Sequence, residues 1–146
     1  MSPEIALPMA AERLIPHRTP MRLVDTLLSV HEGGGVTGSV LPRTSMMADG
    51  EGRLDEVVFM EMIAQSFAAY KGYLDLAEGK PAGGGFLVGV RLLEITGRAY
   101  AGDRLLTSIR TVTAFGGFAV VEGRVTRGDE IVASGIIKLW LVEDGR

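Results

Sequence analysis

Cysteine is missing from the 146 residues, which removes disulfides, thiol nucleophiles and thiolate metal sites together and fits a reducing compartment. Histidine is nearly as scarce: His17 and His31 are the only two, too few and too far apart for a metal site. A charge excess is missing as well. Fifteen Lys and Arg against eighteen Asp and Glu leave a net charge of −3. That is no footprint for nucleic acid and no basis for docking on an anionic membrane. No apolar run approaches the roughly 20 residues that cross a bilayer, which argues against membrane insertion. Residues 1–11 lack the basic flank and apolar stretch of a signal peptide, so a cytoplasmic protein is expected.

The chemistry of familiar short motifs is absent too. Gly83-Gly84-Gly85 does not follow a strand and open a helix, so it is no phosphate loop. No serine sits in Gly-x-Ser-x-Gly. No cofactor-binding or metal-binding set of residues is present in the sequence.

What remains is an ordinary globular balance, 47% apolar and 23% charged, in a chain the length of one domain spanning residues 1–146. A chain of this size buries roughly 70% of its unfolded surface. Residues 1–13 form a short lead with room for one helical turn. Pro16 and Pro20 bracket a stiff segment that cannot be helix interior. Residues 21–30 and 36–41 read as a first hairpin turning through Gly33-Gly34-Gly35. Residues 55–74 are rich in helix formers, with Asp55 as N-cap and Asp55 and Glu56 at the positive end of the dipole. Their apolar residues cover nearly the whole circumference, which predicts a helix buried on all sides. Strands follow at 86–95, 103–115, 117–126 and 130–142, with turns at Gly102-Asp103, Gly116-Gly117 and Gly128-Asp129. The predicted fold is α+β: one long buried helix wrapped by a curved antiparallel sheet of about six strands, suited to holding an acyl chain. Its sheet edges would be hidden by pairing across a dimer.

Glu61 and Gln65 lie four apart, on one face of that helix. A carboxylate on a buried helix is stripped of water, the environment in which a general acid works. Its bland alternative is a carboxylate neutralised by Lys or Arg, or reaching solvent at a subunit boundary. His17 sits between the prolines, where the backbone direction is fixed, and taken alone it reads as a hydrogen-bonded structural residue. His31 precedes the glycine turn and reads as an exposed loop residue. The seven methionines read as core packing, although Met60 and Met62 also suit a flexible acyl pocket.

Four segments then resemble one family. Leu14-Ile15-Pro16-His17-Arg18-Thr19-Pro20-Met21-Arg22-Leu23-Val24-Asp25 resembles the Leu-Pro-His-Arg-x-Pro-x-x-x-Val-Asp opening of bacterial 3-hydroxyacyl-acyl carrier protein dehydratases. Phe59-Met60-Glu61-Met62-Ile63-Ala64-Gln65 is similar to their Leu-x-x-Glu-Ala-x-Ala-Gln helix. Ala101-Gly102-Asp103-Arg104-Leu105 is similar to their Pro-Gly-Asp-x-Leu turn, and Gly128-Asp129-Glu130-Ile131-Val132-Ala133 to their last hairpin. The resemblance spans residues 14–142 and implies the hot-dog fold, built as a dimer. It also implies dehydration of a 3-hydroxyacyl thioester carried on the phosphopantetheine of acyl carrier protein or CoA.

Such a reaction needs a base near the α-carbon, an acid near the hydroxyl and N–H donors at the thioester oxygen. The helix N-terminus is a candidate source of those donors. Glu61 occupies the family's helical carboxylate position and is the first catalytic candidate, with His17 the second. Gln65, Met47, Met60 and Phe86 are the candidate substrate-binding residues. One departure stands out. The family's catalytic histidine lies in Gly-His-Phe-Pro-Gly, yet counting back from Glu61 places Met47 there, and residues 45–55 contain neither histidine nor proline. Three explanations stay open. The chain is a diverged dehydratase of aryl-polyene or related lipid pathways, or it uses His17 or Asp49 instead, or it binds without catalysing beside an active related subunit. A hot-dog thioesterase, with Glu61 directing water at the carbonyl, and a non-catalytic subunit that binds acyl carrier protein are the competing functions. The expected assembly is a homodimer or a heterodimer with a related hot-dog chain.

Overall fold

A computed structural model describes residues 6–81 and 84–142. Seven antiparallel strands wrap one long helix: β1 (Met9–Ala10), β2 (Thr26–His31), β3 (Gly34–Ser39), α1 (Val57–Ala77), β4 (Gly84–Ile95), β5 (Leu105–Phe115), β6 (Phe118–Arg127) and β7 (Glu130–Val142). A single 3₁₀ turn, Ala11–Arg13, follows β1. This is the α+β hot-dog arrangement. The seventh strand is β1, a two-residue addition in the lead that pairs Met9 with Leu27 and Ala10 with Thr26. Among the described residues no helix is long and apolar enough to cross a membrane.

The sheet runs in the order β1-β2-β3-β5-β6-β7-β4. The strands at 86–95 and 103–115 are therefore not partners across a turn. β4 crosses to the far side and pairs with β7, leaving itself as an edge, while β5 pairs with β3 and β6. The crossing segment is fixed by backbone bonds, from the Leu54 N–H to the Ala99 carbonyl at 2.9 Å and from the Gly102 N–H to the Leu41 carbonyl at 2.8 Å.

The Gly33-Gly34-Gly35 turn is also shorter than its composition suggests. Only Gly33 has a positive φ, at 83°, whereas Gly34 and Gly35 belong to β3. They are glycine because neighbouring backbone lies too close for a side chain. A Cβ on Gly34 would overlap the Ile109 carbonyl oxygen, and one on Gly35 would lie 2.5 Å from that of Ser29.

α1 begins two residues later than its sequence signals and ends three later, holding Gly72 inside it. Asp55 still acts at the start, since its Oδ1 accepts the Val57 N–H at 2.9 Å. The sheet grips the helix tightly at Gly123, where a Cβ would come within 2.6 Å of the Ile63 side chain. Phe59, Met62, Ile63 and Phe67 are buried against Ile109, Val121, Ile137 and Leu139 in the main core. Residues around Leu14, Ile15 and Val24 close a second core over Ala69 and Tyr73. The expectation of burial on every side is corrected here. Val57 is exposed, and Met60, Glu61, Ala64, Ala68 and Lys71 are only half-buried. One stripe of α1 is not covered by the chain's own sheet.

Candidate functional site

That stripe floors a cleft of about 270 Å³. Glu61, Ala64, Gln65, Ala68 and Lys71 recur at spacings of three and four along α1 and so share one side of it. The opposite wall is apolar, from Gly85, Phe86 and Leu87 of β4 and Leu139 and Leu141 of β7. His17 closes one flank. The two alanines leave room where larger side chains would fill the groove, and a long flexible apolar chain can lie in it with a carboxylate and an imidazole at hand.

Both candidate catalytic residues therefore line the same cleft, although they come from distant parts of the sequence. Among the described residues the Glu61 carboxylate makes no ion pair and no hydrogen bond. The Nδ1 atom of His17 is buried and has no hydrogen-bond partner among the described residues. His31 is far simpler: it ends β2, exposed, with Nδ1 3.1 Å from the Glu32 carbonyl oxygen.

The four candidate binding residues divide. Phe86 lines the cleft and is 63% exposed. Gln65 also lines it, but both ends of its amide are already used. Oε1 accepts the Leu23 N–H at 2.8 Å, and Nε2 donates to the Met21 carbonyl at 2.9 Å. Met60 packs half-buried against the main core and is not among the cleft residues. Met47 lies elsewhere, in a shallow groove with Asp49, Arg53 and Val57 beside the start of α1.

The same groove holds the helix N-terminus, so the expected N–H donors do not reach the cleft within this chain. They are occupied besides: the Val57 N–H by Asp55 Oδ1, the Val58 N–H by the Asp55 carbonyl at 3.0 Å and the Phe59 N–H by the Glu56 carbonyl at 3.2 Å. Asp49 is likewise committed to its loop. Its Oδ1 accepts the N–H groups of Arg53 and Glu51, both at 2.9 Å. These bonds, Arg53 first, favour the carboxylate and hold it below the ordinary aspartate value, which suits a structural cap and not a proton acceptor.

Lys71 was not among the sequence candidates. Its Nζ donates to Asp75 Oδ1 at 2.6 Å, so the cleft ends in an ion pair. Counting threes and fours onward from Glu61 reaches Lys71, but only once that side of the helix is known to be open.

Residues 9–144 match the sequence profile of the ApeP-like family, described as ApeP dehydratase. The 3-hydroxyacyl-acyl-carrier-protein dehydratase FabZ of Streptococcus pneumoniae is 30% identical over 126 residues, covering 84% of this chain and 89% of the relative. Among solved structures, the dehydratase heterocomplex ApeI:P from Xenorhabdus doucetiae is similar with a TM-score of 0.85 at 18% identity, covering 93% of each chain. A hypothetical thioesterase with coenzyme A from Streptococcus pneumoniae is similar with a TM-score of 0.58 at 12% identity, covering 80% of this chain and 84% of its own. At such identities both structures speak for the fold.

Proposed function

The chain belongs to the ApeP-like family, and from that premise we propose that it dehydrates a 3-hydroxyacyl thioester carried on the phosphopantetheine of acyl carrier protein or CoA, in fatty-acid or related lipid metabolism. One observation carries the reading: an imidazole and a carboxylate, His17 and Glu61, line one apolar-walled cleft. The α-proton of a thioester is weakly acidic and hydroxide leaves poorly, so elimination needs a proton taken from the α-carbon and a proton given to the β-hydroxyl oxygen. One of the pair takes the α-proton while the other protonates the departing hydroxyl. The C–O bond breaks, the α,β double bond forms, and one water is released. The cleft walls hold the acyl chain beside the reacting groups.

The site serves a two-chain assembly in this reading, a homodimer or a heterodimer with a related hot-dog subunit. Supporting it, edge strand β4 exposes Phe86, Val88, Val90 and Leu92, and the uncovered stripe of α1 lies beside it. A second subunit seated there would roof the cleft and bring its own N–H donors to the thioester oxygen.

The test is mass spectrometry of a 3-hydroxyacyl carrier protein and its enoyl counterpart, each incubated with the purified protein alone and with any hot-dog chain that co-purifies. Interconversion by one water supports the reading. Release of free acid would make the protein a thioesterase. No change under either condition would leave a subunit that binds without catalysing.

A further inference from the structure

An amide inside an apolar helix must have its hydrogen bonds made for it. Gln65 is 2% exposed, and its two bonds go to the N–H of Leu23 and the carbonyl of Met21. Those groups lie just beyond the segment that carries His17. Between its buried ends, Ile15 and Leu23, apolar burial does not hold that segment, since Pro16, Arg18, Thr19 and Pro20 are all exposed. On its other side, the Leu14 backbone rests on α1 at Gly72, where a Cβ would overlap the Leu14 carbonyl oxygen. Gln65 and Gly72 are about two turns apart on the helix, roughly 10 Å. The loop is thus pinned on both sides of His17. Between the pins, Arg18 Nη1 donates to the carbonyls of Ile15 and His17, each at 2.8 Å.

An imidazole at work is usually oriented by a hydrogen bond to its second nitrogen. His17 Nδ1 has none. Its direction must come from the backbone that carries it. We infer that His17 is held in the cleft by a two-point clamp of its loop onto α1, with Gln65 as the positioning residue, rather than by any bond to the ring. The inference rests on the proposed reading of His17 as a site residue, but His17 itself can be observed without turnover.

Gln65→Glu gives a conditional clamp. Protonated, the new carboxyl accepts from Leu23 and donates to Met21, as the amide does; ionised, it loses the donor and faces a carbonyl with a negative charge. Gln65→Met fills the space and makes neither bond. The chain has two histidines, so ¹⁵N-labelled protein gives two sets of imidazole signals, with exposed His31 as the internal reference. His17, Glu61 and Lys71 in the cleft, and the Arg22–Asp25 pair beside Leu23, are common to all three proteins. Comparison with wild type at each pH therefore isolates position 65.

The expected result is that His17 signals of Gln65→Glu overlay wild type at the acid end and depart as pH rises. Those of Gln65→Met depart throughout, and His31 does not move. Where dehydration is measurable, kcat falls by about 10²-fold with the departure while KM changes less. His17 signals that overlay wild type in both variants at every pH would overturn the inference. So would unfolding of both variants at every pH, because Gln65 would then hold the fold and not the loop. A wild-type protein with no dehydratase activity would count against the proposed reaction, and the spectra would still decide the clamp.

Discussion

Glu61 stands half-buried on a helix whose neighbours are largely apolar, and no cation among the described residues neutralises it. A carboxylate kept there for stability would have a partner. Replacing it by the nearly isosteric glutamine should therefore leave thermal stability within about 1 kcal/mol while turnover falls by at least about 10²-fold; a melting curve and a rate on the same preparation check both. A collapse of the melting curve would instead mark Glu61 as structural. Asp49 behaves in the opposite way. Its folded pKa is depressed by the Arg53 and Glu51 N–H groups, so its contribution is present above the ordinary aspartate value and is lost as pH falls through the folded one. The 49–53 loop should stay ordered from neutral pH down to about pH 4 and loosen only below it. Amide exchange at Glu51 and Arg53 measures this, and Asp49→Asn should show weakened protection already at neutral pH.

Elements were legible in the sequence where the cause was local. Helix formers and Asp55 announced α1, and Gly116-Gly117 and Gly128-Asp129 announced the turns after β5 and β6. Non-local causes were not legible. Gly34 and Gly35 look like turn residues in composition, yet backbone from β2 and β5 demands them. Gly72 falls inside the helix read from the sequence, but the reason it is glycine, the Leu14 backbone lying against it, comes from a distant part of the chain. Gly72→Ala should consequently destabilise by about 1–3 kcal/mol, the cost of overpacking, although alanine is the better helix former. A denaturant titration decides between those two effects, and a gain in stability would mean that Leu14 does not press on the helix as described. The candidate site was legible in part for the same reason. Residue chemistry and resemblance picked out Glu61 and His17, while the commitment of Gln65 to the chain depends on a contact across the fold, and the cleft itself depends on the stripe of α1 that the sheet leaves open.

At the scale of the whole molecule, strand order decides what is left bare. β4 crosses past β5, β6 and β7 to become an edge of twelve residues that exposes Phe86, Val88, Val90 and Leu92, with Phe86 at the cleft. An edge that long pairs with another strand or is protected against doing so. The expected mass in solution is that of two chains, with itself or with a co-expressed hot-dog subunit, and Val88→Lys should shift it to one. Light scattering after size exclusion reads this directly, and a two-chain mass that survives Val88→Lys would move the interface elsewhere. In the proposed reaction His17 and Glu61 act together in eliminating water. Its most direct test is single-turnover enoyl formation from a 3-hydroxyacyl carrier protein by wild type, His17→Ala, Glu61→Gln and the double variant, in the assembly that the mass measurement defines. Each single variant should lose nearly as much as the double, because the two groups serve one step. Full activity in His17→Ala, with loss confined to Glu61→Gln, would contradict that joint action.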